Sequence, residues 1–182
     1  MEAVVASDPQ VTMNDTVVRL VRGDITELEV DAFVFYAQTD LALGSGFGGM
    51  ITVRGGAAIQ KELDELAPVP ELEAVVSDAG KLTATYIIHA VGPRFREDDI
   101  EPKLHTTMEN CLLRAKEKGM KTLAFPAMGA GYYGVPAPTS AKVMLDALEA
   151  YLGQNPGLDE VTICVLDSPQ FKAFEAAIAA KS

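Results

Sequence analysis

Two glycine-rich turns constrain this chain most: Gly44-Ser45-Gly46-Phe47-Gly48-Gly49 and Gly129-Ala130-Gly131-Tyr132-Tyr133-Gly134. Each follows an apolar run that reads as a buried strand, and each precedes a stretch of helical periodicity. Glycine lets the backbone turn its N–H groups outward with no Cβ in the way. Amides at such a turn, and at the start of the helix after it, make an anion site that needs no Lys or Arg. Two such turns fit the two phosphates of one nucleotide.

The rest of the pattern agrees with a fold of that kind. Apolar runs at residues 17–21, 31–37, 74–76, 86–91, 121–125 and 161–166 read as strands. Helical stretches are expected at residues 50–66, from Pro102 to a stop at Gly119, at residues 138–152, and from Pro169 onward. Continuous apolar strands alternating with helices imply a sheet covered on both faces. The expectation is an α/β protein: a three-layer α/β/α sandwich around a mixed, twisted sheet of about six strands. Residues 1–15 read as an N-terminal tail, with neither a basic start nor an apolar stretch to mark a signal peptide. Residues 16–182 read as one domain, a size that 48% hydrophobic content supports.

Charge narrows the partners. A formal net charge of −11 argues against general nucleic-acid binding, which needs a basic face. It does not oppose a nucleotide held by amide dipoles. No apolar run approaches the ~20 residues of a membrane span, so the cytoplasm is the expected location. Two cysteines, Cys111 and Cys164, fall on apolar positions and read as core residues of a reducing compartment. With two histidines and no paired cysteines, neither a metal nor a cofactor is expected. His89 lies inside an apolar strand and reads as a hydrogen-bonded core residue, whereas His105 reads as solvated.

Four segments, in this order, resemble the macro domain, an ADP-ribose-binding module. They are Gly23-Asp24-Ile25-Thr26 with Asp31-Ala32-Phe33-Val34, the first glycine turn through Arg54-Gly55-Gly56, Ala79-Gly80-Lys81-Leu82 with Tyr86-Ile87-Ile88-His89-Ala90-Val91-Gly92-Pro93, and Ala124-Phe125-Pro126-Ala127 into the second turn. The resemblance implies ADP-ribose across the crest of the sheet. Asp24 would accept from the adenine amino group, and the Ile25 N–H would meet the same ring. Gly44, Ser45, Gly46, Phe47 and Gly48 would wrap the distal ribose and one phosphate. Gly129, Ala130, Gly131 and Tyr132 would wrap the diphosphate, and Tyr133 would cover the distal ribose.

Departures from the family pattern bear on chemistry. Hydrolytic members usually carry Asn-Ala-Ala-Asn after the second strand; here the stretch is Phe35-Tyr36-Ala37-Gln38. The family's first-loop acid aligns with Gly48, its adenine-stacking aromatic with Leu166, and its Ser-Thr pair with Gly129-Ala130. Phe171 is a second candidate for the stacking role. Gln38 does not titrate, so it cannot be a general base. Gln38 and Asp40 are the weak catalytic candidates. The leading expectation is therefore a binding module for ADP-ribose or an ADP-ribosylated substrate. The alternatives are a hydrolase of ADP-ribosyl adducts or of O-acetyl-ADP-ribose with atypical residues, and a macro fold serving another ligand.

Overall fold

The computed structural model describes residues 8–94 and 96–182. Seven strands form one sheet: β1 (Gln10–Met13), β2 (Thr16–Arg22), β3 (Ala32–Tyr36), β4 (Ala74–Asp78), β5 (Tyr86–Ala90), β6 (Thr122–Phe125) and β7 (Glu160–Val165). Their spatial order is β1-β2-β7-β6-β3-β5-β4. The five central strands run parallel, with registers such as Val18 opposite Val161 and Ala32 opposite both Tyr86 and Leu123. The two edge strands, β1 and β4, run antiparallel to their neighbours.

Five helices cover the sheet: α1 (Gly46–Gly55), α2 (Ala58–Leu66), α3 (Ile100–Glu117), α4 (Ala137–Leu152) and α5 (Ser168–Lys181). One face of the sheet packs against α3, α4 and α5 through Leu104, Met108, Cys111, Met144, Leu148 and Phe174. The other face packs against α1 and α2 through Phe33, Ile51, Ile59, Leu63 and Ile87. This is the expected three-layer arrangement, with apolar residues on both faces of the central strands.

The seventh strand lies in the segment read as a tail. Residues 1–7 lie outside the described residues, but Gln10–Met13 pairs with β2 through a two-residue turn. Asn14 and Asp15 in that turn have φ of +46° and +69°. Positive φ at both positions belongs to the tight hairpin turn that Asn and Asp tolerate.

The single helix expected over residues 50–66 is two helices. α1 ends where Gly56 takes φ +98°, and the turn after β4 comes in close beside it. The Lys81 N–H donates to the Gly55 carbonyl at 2.9 Å. A Cβ on Gly80 would lie 2.2 Å from that same carbonyl oxygen. Leu66, expected on the buried stripe, is 40% exposed at the end of α2. α3 begins two residues before Pro102, so the proline is its third residue. No helix among the described residues is long and apolar enough to cross a membrane.

Candidate functional site

The parallel strands β2, β3, β5, β6 and β7 all end at the same edge of the sheet. In open α/β sheets the crevice beyond the carboxyl ends of the strands is where ligands bind. A cleft of about 700 Å³ lies there, between the segments that follow β2, β3, β6 and β7. Its walls are mostly apolar: Phe35, Tyr36, Phe47, Met50, Tyr132, Tyr133 and Leu166.

At the β2 end, Asp24 caps a short 3₁₀ turn, Ile25–Glu27. Its Oδ1 accepts from the Thr26 N–H at 2.9 Å and the Thr26 hydroxyl at 2.6 Å. Its Oδ2 pairs with Arg54 from α1. Burial pushes the Asp24 carboxyl upward, but the hydrogen bonds from Thr26 and Arg54 outweigh it and hold the pKa below the ordinary carboxylate value. Asp24 thus presents a partly shielded, anionic acceptor to the cleft. Ile25 beside it is buried and also lines the cleft.

Of the two cysteines, only Cys164 lies near this end. Cys164 lines the cleft, whereas Cys111 is wholly in the core. Burial pushes the Cys164 thiol up to about 11 and the Cys111 thiol up to about 12, so both stay protonated near neutrality. Leu166 is 71% exposed and forms the rim. Its N–H lies 3.3 Å from Gln170 Oε1, and Gln170 is a lining residue that the sequence reading missed. Phe171 packs half-buried against the core and is not among the lining residues.

The first glycine turn is anchored rather than loose. Gln60 of α2 reaches across it: its Oε1 accepts from the Leu43 N–H at 2.9 Å and its Nε2 donates to the Leu41 carbonyl at 3.3 Å. Leu41 and Leu43 are buried beneath. Gly44 and Gly46 have φ of +65° and +61°, which turn the chain into α1. Ser45 makes no side-chain capping bond. The amides of Gly46, Phe47 and Gly48 are therefore first-turn donors with no intrahelical acceptor. Of the residues expected here, Phe47 lines the cleft; Gly44, Ser45, Gly46 and Gly48 lie off its walls. Gly48 is buried, and a Cβ on it would lie 1.7 Å from the Leu43 carbonyl oxygen. The backbone itself occupies the place where a side chain at position 48 would begin.

The second glycine turn forms the opposite wall. Gly129 and Gly131 have φ of +77° and +71°, and a 3₁₀ turn spans Gly131–Tyr133. The Ala130 N–H is engaged by the Ala127 carbonyl at 3.1 Å. The Gly131 and Tyr132 amides donate to no acceptor among the described residues. Tyr132 is 89% exposed at the rim. Tyr133 packs on Tyr36 with ring centroids 4.5 Å apart, and the Tyr36 hydroxyl donates to the Pro93 carbonyl at 2.5 Å. Burial raises the Tyr133 hydroxyl pKa, while the neighbouring Gln38 side chain pulls against it. Gln38 is exposed and off the cleft wall. Asp40 is exposed too, and its Oδ1 accepts from the Ala42 N–H at 2.9 Å within its own turn.

Phe35 packs on Phe47 with centroids 5.5 Å apart and lies T-shaped to the His89 ring. His89 is fully buried, with Nε2 2.8 Å from the Ser77 hydroxyl. Burial lowers its pKa to about 3. His105 is half-buried and lies 2.8 Å from Glu109 on α3. The cleft thus combines aromatic walls, free amides on the second glycine turn and one anionic acceptor at one end. It suits a flat, amino-bearing ring joined to an anion.

Comparison with known proteins places this geometry. A sequence model of the Macro domain family matches residues 36–144. A Saccharolobus solfataricus protein is 40% identical over 161 residues, covering 86% of this chain and 89% of that one. A Thermotoga maritima protein is 40% identical over 169 residues; the match covers 87% of this chain but only 28% of that longer one. Among solved structures, the Oceanobacillus iheyensis macrodomain with ADP superposes with a TM-score of 0.90 at 23% identity, covering 96% of each chain. A variant of that macrodomain was solved with ADPR. At that identity the likeness establishes the fold.

Proposed function

Because this chain belongs to the macro domain family, we propose that it binds ADP-ribose, or a molecule carrying it, in the cleft at the carboxyl edge of the sheet. The observation that carries the proposal is the spacing of complementary groups along one trough: the Asp24 carboxylate at one end, then the free Gly131 and Tyr132 amides of the second glycine turn, with aromatic walls between. Asp24 and the Ile25 amide take the adenine, and Leu166 covers it. The Gly131 and Tyr132 amides, with the first turn of α1, hold the diphosphate. Phe47 and Tyr133 flank the distal ribose, with Gln38 beside Tyr133 but outside the cleft wall. The solved neighbours with ADP and ADPR support this reading.

The same geometry favours binding over hydrolysis. Hydrolysis needs a positioned group to activate water beside the distal ribose. A side chain at Gly48 would clash with the Leu43 carbonyl, Gln38 does not titrate, and Asp40 is exposed off the cleft wall with its Oδ1 turned to the Ala42 N–H. Calorimetry tests the proposal. ADP-ribose is expected to bind with a Kd well below ~1 mM, AMP more weakly, and Asp24→Ala is expected to weaken ADP-ribose about tenfold or more. O-acetyl-ADP-ribose and a mono-ADP-ribosylated protein are expected to survive incubation intact. No heat at ~1 mM ADP-ribose would defeat the binding reading, and turnover would defeat the preference against hydrolysis.

A further inference from the structure

We propose that Arg54 is a positioning residue for the base end of the cleft, fixing Asp24 in one orientation with a single acceptor left for a ligand's amino group. This rests on the reading of the cleft as an adenine-nucleotide site. Arg54 sits in the last turn of α1 and is not itself among the lining residues; Asp24 is. The Arg54 guanidinium therefore meets a ligand through Asp24.

The hydrogen bonds form a closed set. Arg54 Nη1 pairs with Asp24 Oδ2 and donates to the Thr26 hydroxyl oxygen at 2.9 Å. That hydroxyl in turn donates to Asp24 Oδ1 at 2.6 Å, beside the Thr26 N–H at 2.9 Å. A carboxylate offers about four lone-pair positions. Thr26 fills both on Oδ1 and Arg54 fills one on Oδ2. One acceptor remains, and no donor. A purine bearing a 6-amino group satisfies it, whereas one bearing a 6-oxo group sets oxygen against oxygen. An unmatched polar pair in a partly buried site is what gives such discrimination its size.

Arg54 also keeps the acceptor charged. Burial works to protonate Asp24, and Arg54 and Thr26 oppose it. Without Arg54 the carboxyl pKa rises, so the neutral form appears at a higher pH. A protonated Asp24 is a donor as well as an acceptor, and the preference for an amino group fades. Glu27, 3.8 Å from Arg54, is 73% exposed and adds little.

The experiment compares the whole chain with Arg54→Met, Arg54→Lys, Asp24→Ala and the Arg54→Met/Asp24→Ala double variant. Calorimetry from pH 7.5 down to pH ~3, below the ordinary carboxylate value, uses ADP-ribose and its hypoxanthine analogue. Arg54 is 43% exposed and Asp24 24%, so the effect at neutral pH is modest. Arg54→Met is expected to weaken ADP-ribose about three- to tenfold, and to narrow the margin over the hypoxanthine analogue by a similar factor. The acid limb of binding is expected to move to higher pH in Arg54→Met and to return toward wild type in Arg54→Lys. In the Asp24→Ala background Arg54→Met should have no further effect. An unchanged acid limb and selectivity, or an equal loss with Asp24 absent, would overturn the proposal. Carboxyl-carbon NMR titration of the ligand-free chain keeps it separable from the reading it rests on: Asp24 is expected to titrate at higher pH in Arg54→Met. Wild type that binds no ADP-ribose would sink the cleft reading and its base selectivity, while an Asp24 titration that ignores Arg54 would sink the coupling itself.

Discussion

Gly48→Ala is the sharpest test of how the first glycine turn is built. Added to the present backbone, the new Cβ would lie 1.7 Å from the Leu43 carbonyl oxygen and 2.6 Å from its carbon. Contacts under 3.0 Å essentially never occur for a real Cβ, so the two must part by about 1.3 Å. Neither side yields easily. Leu43 is buried, and its N–H is held by Gln60; Gly48 is in the first turn of α1, whose Ile51 is fully buried. Overpacking of this kind costs roughly 1–3 kcal/mol, and more when backbone must move. Better helix propensity returns at most about 1 kcal/mol. The expected net loss is about 2 kcal/mol, which for a chain of this size lowers Tm by about 4–8 °C. Gly49→Ala is the control. Its Cβ would meet nothing nearer than the Gly44 carbonyl oxygen at 3.4 Å, so its Tm should hold or rise by about 2 °C. Scanning calorimetry of the three proteins decides the matter. A Gly48→Ala protein that melts with or above wild type would refute the claim that backbone excludes a side chain there, and with it the structural argument against hydrolysis.

Other outcomes follow from particular contacts. His89 has a pKa near 3 when folded against 6.5 when unfolded, so the unfolded chain binds more protons between those values. Its contribution is whole above pH 6.5 and falls as pH drops toward 3, by about 2 kcal/mol at pH 5. Ring-nitrogen NMR should show His89 neutral at pH 5, and titration near 6.5 in the folded state would contradict its burial. Tyr36→Phe removes the hydroxyl bonded to the Pro93 carbonyl and should cost about 1–3 kcal/mol by denaturant titration. Leu123→Ala empties a fully buried position on β6 and should cost about 2–5 kcal/mol; a loss under 1 kcal/mol would mean that the core closes over the gap.

The five central strands and the junctions after them were legible because both signals are local. A run such as Ala32–Tyr36, apolar on both faces, has no stable home except between two helical layers. Glycines at Gly44, Gly46, Gly129 and Gly131 announce positive φ, and all four have it. That Asp24 sits at the mouth of the sheet was legible as well, from its place directly after a strand, and it does line the cleft.

Other features depend on residues far apart in the chain. β1 carries only a weak alternation, and it becomes a strand because β2 offers it an edge. The helix at residues 46–66 breaks because the Gly80 turn, some distance on, needs the space beside Gly55. Arg54 meets Asp24 across 30 positions, and Gln60 pins Leu43 across 17. Sequence alone determined the layers and marked which junctions bend, since propensity and periodicity are properties of neighbours along the chain. Which amides remain free, whether a side chain fits at position 48 and what holds Asp24 in place were decided only by the packed structure, because each depends on atoms brought together by the sheet.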